Sequence, residues 1–267
     1  MTILVALILG VVEGLTEYLP VSSTGHLILV DHFLGGGDSE AGKSFEIVIQ
    51  LGAILAVLVY YRSLLWQRAR ELPSGKPEAT RLGLALLAGF LPTAALGLLA
   101  RKAIKAHLFG ARPVAVALAV GGVVMIAVEL VRGRNADDGE SRLEDVTPVR
   151  GFLIGIGQCA SLIPGTSRSM ATIVTGQLIG LTTATAAEFS FLLALPTLGA
   201  ATIYEAYKSR HDLMTLGAIP VAVGMVTSFF VAWAVIAVFI AYLKRRGLLP
   251  FGIYRIILGA VVLFLVR

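Results

Sequence analysis

A single cysteine, Cys159, stands among 267 residues. That scarcity excludes an internal disulfide and any metal centre built from thiolates, so chemistry here must come from oxygen, imidazole and guanidinium groups. Charge is thin as well. Only 15% of residues are Asp, Glu, Lys or Arg, against about 25% in soluble globular domains. Long polar segments are missing: the connectors 62–81 and 132–150 fall short of the roughly 40 residues below which a domain needs staples, and both read as loops. No Lys or Arg precedes Glu13, so a cleavable signal peptide is not expected. Gly35-Gly36-Gly37 and Gly121-Gly122 lack a following Walker-type lysine and serine, which leaves them as a turn and a close helix contact.

What fills the chain is hydrocarbon. Apolar residues make up 57% and the mean hydropathy is +0.85. Spans need about 20 apolar residues each, and six stretches are predicted to cross: about 44–61, 82–100, 114–131, 186–206, 216–243 and 250–266. The expectation is an all-α integral membrane protein forming a single membrane domain over 1–267. A net charge of +5 is dispersed over short loops, which points to anionic membrane lipids and away from nucleic acid.

Internal similarity divides the domain. Pro20 and Pro164 are 144 residues apart, and the same shift carries Ser23 to Ser167, Gly36 to Gly180, Phe45 to Phe189 and Tyr60 to Tyr204. The predicted repeats cover about 1–131 and 151–267, joined by the loop 132–150. Each opens with a short broken apolar pair, about 3–34 and 151–181, followed by three full spans. Three crossings per unit place the second copy upside down, an inverted-topology repeat. The broken pairs read as two re-entrant helical hairpins whose tips meet near mid-membrane, where non-helical backbone is tolerated only beside a polar cavity. Twelve Lys and Arg fall in loops assigned to the cytoplasm and seven in the opposite ones, Arg101, Lys102, Lys105 and Arg112 among the seven. That bias sends the first hairpin in from outside and the second from the cytoplasm.

The chemistry sits at the two breaks. In EGLTEYLPVSSTGH, Glu13 and Glu17 lie four residues apart on one helix face. A carboxylate at the bilayer centre costs on the order of 3 kcal/mol, so two mark a polar site. Such a pair can share a proton or a divalent cation; two glutamates on a water-facing helix end are the plainer alternative. Ser22, Ser23 and Thr24 are natural caps for a helix starting near Thr24, and its free N–H groups suit a phosphate. Ser23 is a candidate nucleophile with His26 as its base or as the proton donor to the leaving oxygen, and attack by His26 itself is the alternative. The second break, PGTSRSMAT, puts Arg168 among Ser167, Ser169 and Thr172. Arginine binds phosphate bidentately and stays charged when buried; otherwise it rests on Glu13, Glu17 or Glu188. Glu46 and Gln50 share a side of the first full span, with Gln50 a candidate contact to substrate. Glu188 and Ser190 open its counterpart, lining the cavity or joining helices, and His107, His211 and Glu129 fall near loops.

These motifs, with FEIVIQLGAILAV (45–57) and EFSFLLALP (188–196), resemble the undecaprenyl pyrophosphate phosphatase family of bacitracin-resistance proteins over essentially the whole chain. The resemblance implies hydrolysis of undecaprenyl pyrophosphate to undecaprenyl phosphate and inorganic phosphate, which recycles the carrier lipid for cell-wall synthesis. It also implies a bacterial plasma-membrane location with the site facing the periplasm or outer surface. Family functional residues carry over onto Glu13, Glu17, Ser23, His26 and Arg168. The family's usual glycine after SRS is Met170 here. On this reading Glu13 and Glu17 bind Mg²⁺ or Ca²⁺, since hard cations prefer carboxylate oxygens; Ser22, Thr24, Ser167, Ser169, Thr172 and Gln50 contact a polyprenyl pyrophosphate. Inverted repeats also build transporters, so a lipid or ion carrier, or a phosphatase that also flips lipid, is the rival class. The oligomeric state stays open, a homodimer included.

Overall fold

A computed structural model of the chain describes residues 1–34, 40–108, 110–133, 141–208 and 210–265, with backbone alone at 40–41, 101–107 and 212–214. The Gly35-Gly36-Gly37 turn lies outside the described residues, as do the side chains of Arg101, Lys102, Lys105 and His107. Every described regular element is helical. In chain order they are α1 (Ile3–Thr16), α2 (Ser23–Leu34), α3 (Glu40–Tyr60), α4 (Arg62–Glu71), α5 (Pro77–His107), α6 (Ala111–Arg132), α7 (Pro148–Gln158), α8 (Arg168–Leu178), α9 (Thr183–Lys208), α10 (Arg210–Leu216), α11 (Ala218–Leu243) and α12 (Leu249–Leu265).

Among the described residues, five helices carry an apolar stretch long enough to cross a membrane: Gly42–Tyr60, Pro77–Ala100, Ala111–Arg132, Thr183–Lys208 and Ala218–Leu243. This is a multi-pass membrane protein. The sixth expected span, α12, has 17 residues and extends about 26 Å, somewhat less than a hydrocarbon core of about 30 Å. Part of the expected loop 62–81 is also helical. Leu64 and Leu65 on α4 pack onto the core while Arg68 pairs with both Glu71 and Glu144, an apolar stripe backed by charge that stabilises a short surface helix.

Two short-armed hairpins sit among these spans. The arms of the first, α1 and α2, hold 14 and 12 residues; those of the second, α7 and α8, hold 11 each. Thr2 caps α1 through Val5 N–H at 3.3 Å, and Thr147 caps α7 through Arg150 N–H at 3.2 Å. Where each chain re-enters helix, a serine adopts a left-handed backbone: Ser22 and Ser167 both have φ +71°. Such a conformation in a residue with a Cβ costs on the order of 1–3 kcal/mol, and it collects at functional sites. The backbone thus aligns Ser22 with Ser167, and Ser23 with Arg168 as first helical residues. That register is one residue out of step with the Pro20/Pro164 spacing.

Small residues let the first arms approach their neighbours closely. On α1, Gly10 and Gly14 face the carbonyls of Gly224 and Ser228 on α11. On α7, Gly151 and Gly155 face those of Ala85 and Gly89 on α5. A side chain at any of the four would strike the opposing backbone, the contact mode typical of helices packed in lipid. α6 and α12 form a further close pair. The largest buried cluster, including Tyr18, Ile173, Phe189, Phe191, Ile236 and Phe239, lies directly behind the hairpin tips.

Candidate active site

Glu13 lies on the buried face of α1 and Glu17 caps its C-terminus, Glu17 N–H donating to the Glu13 carbonyl at 2.9 Å. Both carboxylates are buried, Glu13 to 1% exposure. Each oxygen of Glu17 has a different partner. Ser23 Oγ donates to Oε2 at 2.9 Å, and Arg168 Nη2 donates to Oε1 at 3.3 Å. The acidic turn and the guanidinium, 151 residues apart, therefore meet in the interior.

Arg168 is held by what lies around it. Nη1 donates to the carbonyl of Ser190 at 2.9 Å and to its Oγ at 3.0 Å, while the guanidinium carbon sits 5.5 Å from the centre of the Tyr18 ring. Tyr18 is fixed in turn by donating to the Ala53 carbonyl at 2.8 Å. One turn along α8, Thr172 Oγ1 reaches Ser190 Oγ at 2.6 Å. Ser169 Oγ donates to the Leu19 carbonyl at 2.9 Å, crossing from one tip to the other. With that hydrogen committed, the 3.0 Å contact between Ser167 and Ser169 has Ser167 as donor.

His26 points elsewhere. Its Nδ1 lies 2.8 Å from the Ser22 carbonyl, which only accepts, so Nδ1 carries the hydrogen; in the neutral ring Nε2 then accepts from Tyr254 Oη at 2.7 Å. The two rings also stack, with centres 5.6 Å apart and planes 13° from parallel. Ser23, expected to pair with His26, donates to Glu17 instead. Ser22 contributes its carbonyl to this arrangement. Thr24 is exposed on the first turn of α2. Gln50 accepts from Thr202 Oγ1 at 2.9 Å, which joins α3 to α9.

Two buried polar atoms at the centre have no partner among the described residues, Glu13 Oε1 and Arg168 Nε. A buried orphan costs about 1–3 kcal/mol, which a ligand removes. No described group of three or more His, Cys, Asp or Glu residues could hold a metal ion. The unpartnered Oε1 of Glu13 is a hard oxygen donor of the kind Mg²⁺ or Ca²⁺ takes.

Two cavities lie beside the hairpins, one at the open end of the first hairpin and one next to its tip. One of about 390 Å³ is lined by Thr2, Val5, Leu9, Asp31, Glu46 and Thr215, among others; Val5 and Leu9 occupy the helix face that carries Glu13 one turn further on. The other, about 330 Å³, is an apolar groove along α11 and α12 lined by Val235, Val238, Phe239, Tyr242 and Phe251, and it begins at Leu19. Met170, standing where the resemblance implies glycine, is buried in the core rather than narrowing either cavity.

Three contributors escaped the sequence reading in these roles: Ser190 as the Arg168 anchor, Tyr254 and Arg255. Arg255 is fully buried and donates to the Pro20 carbonyl at 3.2 Å and the Gly165 carbonyl at 3.0 Å. An arginine in the last apolar run is the same signal that singled out Glu13.

Comparison with known proteins places the chain among named relatives. A family model described as "Bacitracin resistance protein BacA" matches residues 6–261. An undecaprenyl-diphosphatase of Sorangium cellulosum is 59% identical over 97% of this chain and 85% of its own length. One from Persephonella marina is 46% identical over the full length of both chains. One from Albidiferax ferrireducens is also 46% identical, over 97% of this chain and 93% of its own. With matched residues running through both hairpins and all five long spans, the chain belongs to the bacitracin resistance protein BacA family.

Proposed function

We propose that this protein is a membrane phosphatase that hydrolyses undecaprenyl diphosphate to undecaprenyl phosphate and inorganic phosphate, recycling the carrier lipid of cell-wall synthesis. The observation that carries the reading is the unbroken chain Ser23–Glu17–Arg168: a hydroxyl on a carboxylate, and that carboxylate on a phosphate-binding cation. A carrier needs no such nucleophile.

In the reaction, Ser23 Oγ attacks the terminal phosphorus while Glu17 Oε2 takes its proton. The new Oγ–P bond replaces the bond to the bridging oxygen, and undecaprenyl phosphate leaves. Water then attacks the phosphoserine, releases phosphate and restores the hydroxyl. Arg168 turns Nη2 and its unpartnered Nε to the phosphate oxygens while Ser190 keeps Nη1 in place. Its fixed charge meets the negative charge that builds on the transferring group. Glu13, with Glu17 beside it, would hold Mg²⁺ or Ca²⁺, which supplies charge neutralisation for the diphosphate when bound.

The two halves are read as inverted repeats with re-entrant hairpins. Arms of 11–14 residues reach only about 17–21 Å and fall short of a bilayer core of about 30 Å. The loop charges favour a site facing the periplasm or outer surface. The polyprenyl tail of the lipid suits the apolar groove that starts at Leu19, one residue from Pro20. Purified protein should release phosphate from undecaprenyl diphosphate, and Ser23→Ala should abolish release; turnover by Ser23→Ala at the wild-type rate would refute the assignment of nucleophile.

A further inference from the structure

Arg255 belongs to α12, has no exposed surface and finds no carboxylate among the described residues. Its guanidinium meets backbone carbonyls: Pro20 at 3.2 Å, Gly165 at 3.0 Å and Ala117 at 3.2 Å, with Nε unpartnered. Burying a cation without a counter-charge is an expensive arrangement, and a well-packed apolar side chain would ordinarily serve a structural position better. The three carbonyls show what the expense achieves. Pro20 lies in the tip of the first hairpin, Gly165 in the tip of the second, and Ala117 on α6. One rigid fork therefore joins both tips to each other and to a membrane span. Space for it comes from Gly121, where an added methyl group would collide with the guanidinium and with the end of Met170.

Ser23 and Arg168 are the first residues of the helices that follow these two tips. Their relative placement depends on the register of the loops, which the Ser169–Leu19 bond and the Glu17–Arg168 pair otherwise span. Resting on the phosphatase reading, we infer that Arg255 is a positioning residue: it locks the two hairpin tips in register so that the Ser23 hydroxyl and the Arg168 guanidinium address the same phosphorus. Its hydrogen bonds go to backbone carbonyls and not to Ser23 or Arg168.

The test uses the full chain in nanodiscs as Arg255→Met, Arg255→Lys and Gly121→Ala. Each is assayed for phosphate release from undecaprenyl diphosphate, for Tm, and for peptide-resolved hydrogen exchange. Because an ångström of misplacement costs about 100-fold, kcat should fall about 100-fold in Arg255→Met and about tenfold in Gly121→Ala, which keeps the charge but displaces the fork. KM should stay within about threefold, since Arg168 and Glu17 retain their own partners. Exchange should rise in both tips, around 17–24 and 160–169, and stay unchanged in α3, α9 and α11. Arg255→Lys, with one compact donor group for two tips, should recover part of kcat. The inference is overturned if kcat falls while tip exchange stays at the wild-type level, if exchange rises throughout the protein with Tm collapsing, or if both tips loosen and kcat does not change. Should Arg255→Met fail to fold, the other two variants carry the same readouts. A wild-type protein that releases no phosphate defeats the phosphatase reading instead, and the exchange data still decide whether Arg255 locks the tips.

Discussion

Glu17 and Arg168 are joined at 3.3 Å with both side chains buried, and the second oxygen of the same carboxylate holds the hydroxyl of Ser23. A buried pair of this kind gains little stability of its own, but losing one partner leaves the other as an uncompensated charge. On the proposed mechanism, an arriving phosphate takes the guanidinium as Glu17 accepts a proton.

Replacing Arg168 by alanine should lower kcat/KM by at least about 100-fold, the usual consequence of removing a charge-stabilising donor. Arg168→Lys should rescue little. A single ammonium cannot reach Ser190 and Glu17 together in the geometry a planar fork allows. Phosphate-release kinetics on the two purified variants check this, and a lysine variant with near-normal turnover would contradict it.

Glu17→Gln keeps the shape of the side chain and removes the base. Loss of general-base catalysis typically costs about 10²–10⁴-fold, and that range is expected in kcat. Glu13→Gln should act differently, weakening the response to added Mg²⁺ or Ca²⁺ more than the rate at saturating cation. Rate measurements across a chelator and metal titration separate the two carboxylates.

Tyr254→Phe deletes the hydroxyl that faces His26 Nε2 and preserves the ring stack. A neutral hydrogen bond is worth about 1 kcal/mol, so Tm should fall slightly and kcat by no more than about fivefold, far less than in Ser23→Ala. If Tyr254→Phe matched Ser23→Ala in severity, His26 would stand nearer the chemistry than its present orientation places it.

Val238 lines the apolar groove that begins at Leu19. Filling the groove with Val238→Trp should raise KM for undecaprenyl diphosphate several-fold and leave a short-chain prenyl diphosphate unaffected. Equal effects on both chain lengths would remove the tail from this groove.

The cluster of Glu17, Ser23 and Arg168 is legible in the sequence because ionisable and hydroxyl groups inside apolar runs are costly, and the two breaks at Pro20 and Pro164 gather them. The orientation of His26 is not. It depends on Tyr254, 228 residues away, and local spacing to Ser23 carried no information about it. Arg255 carried the same signal as Glu13 but stood without neighbouring polar residues. The expected repeat rests on scattered identities 144 residues apart, whereas the two left-handed serines stand 145 apart, a backbone property that residue matching does not report. α4 carries loop-like charge in the sequence that outweighs Leu64 and Leu65, whose burial appears only when the core beneath them is assembled.

The most direct test is to trap the intermediate. Wild-type protein turned over with substrate ³²P-labelled in the terminal phosphate and quenched in denaturant should carry label on Ser23, located by peptide mapping. Ser23→Ala should carry none and release no phosphate. Label on His26, or full turnover with Ser23 replaced, would contradict the convergence of nucleophile, base and arginine on one phosphorus.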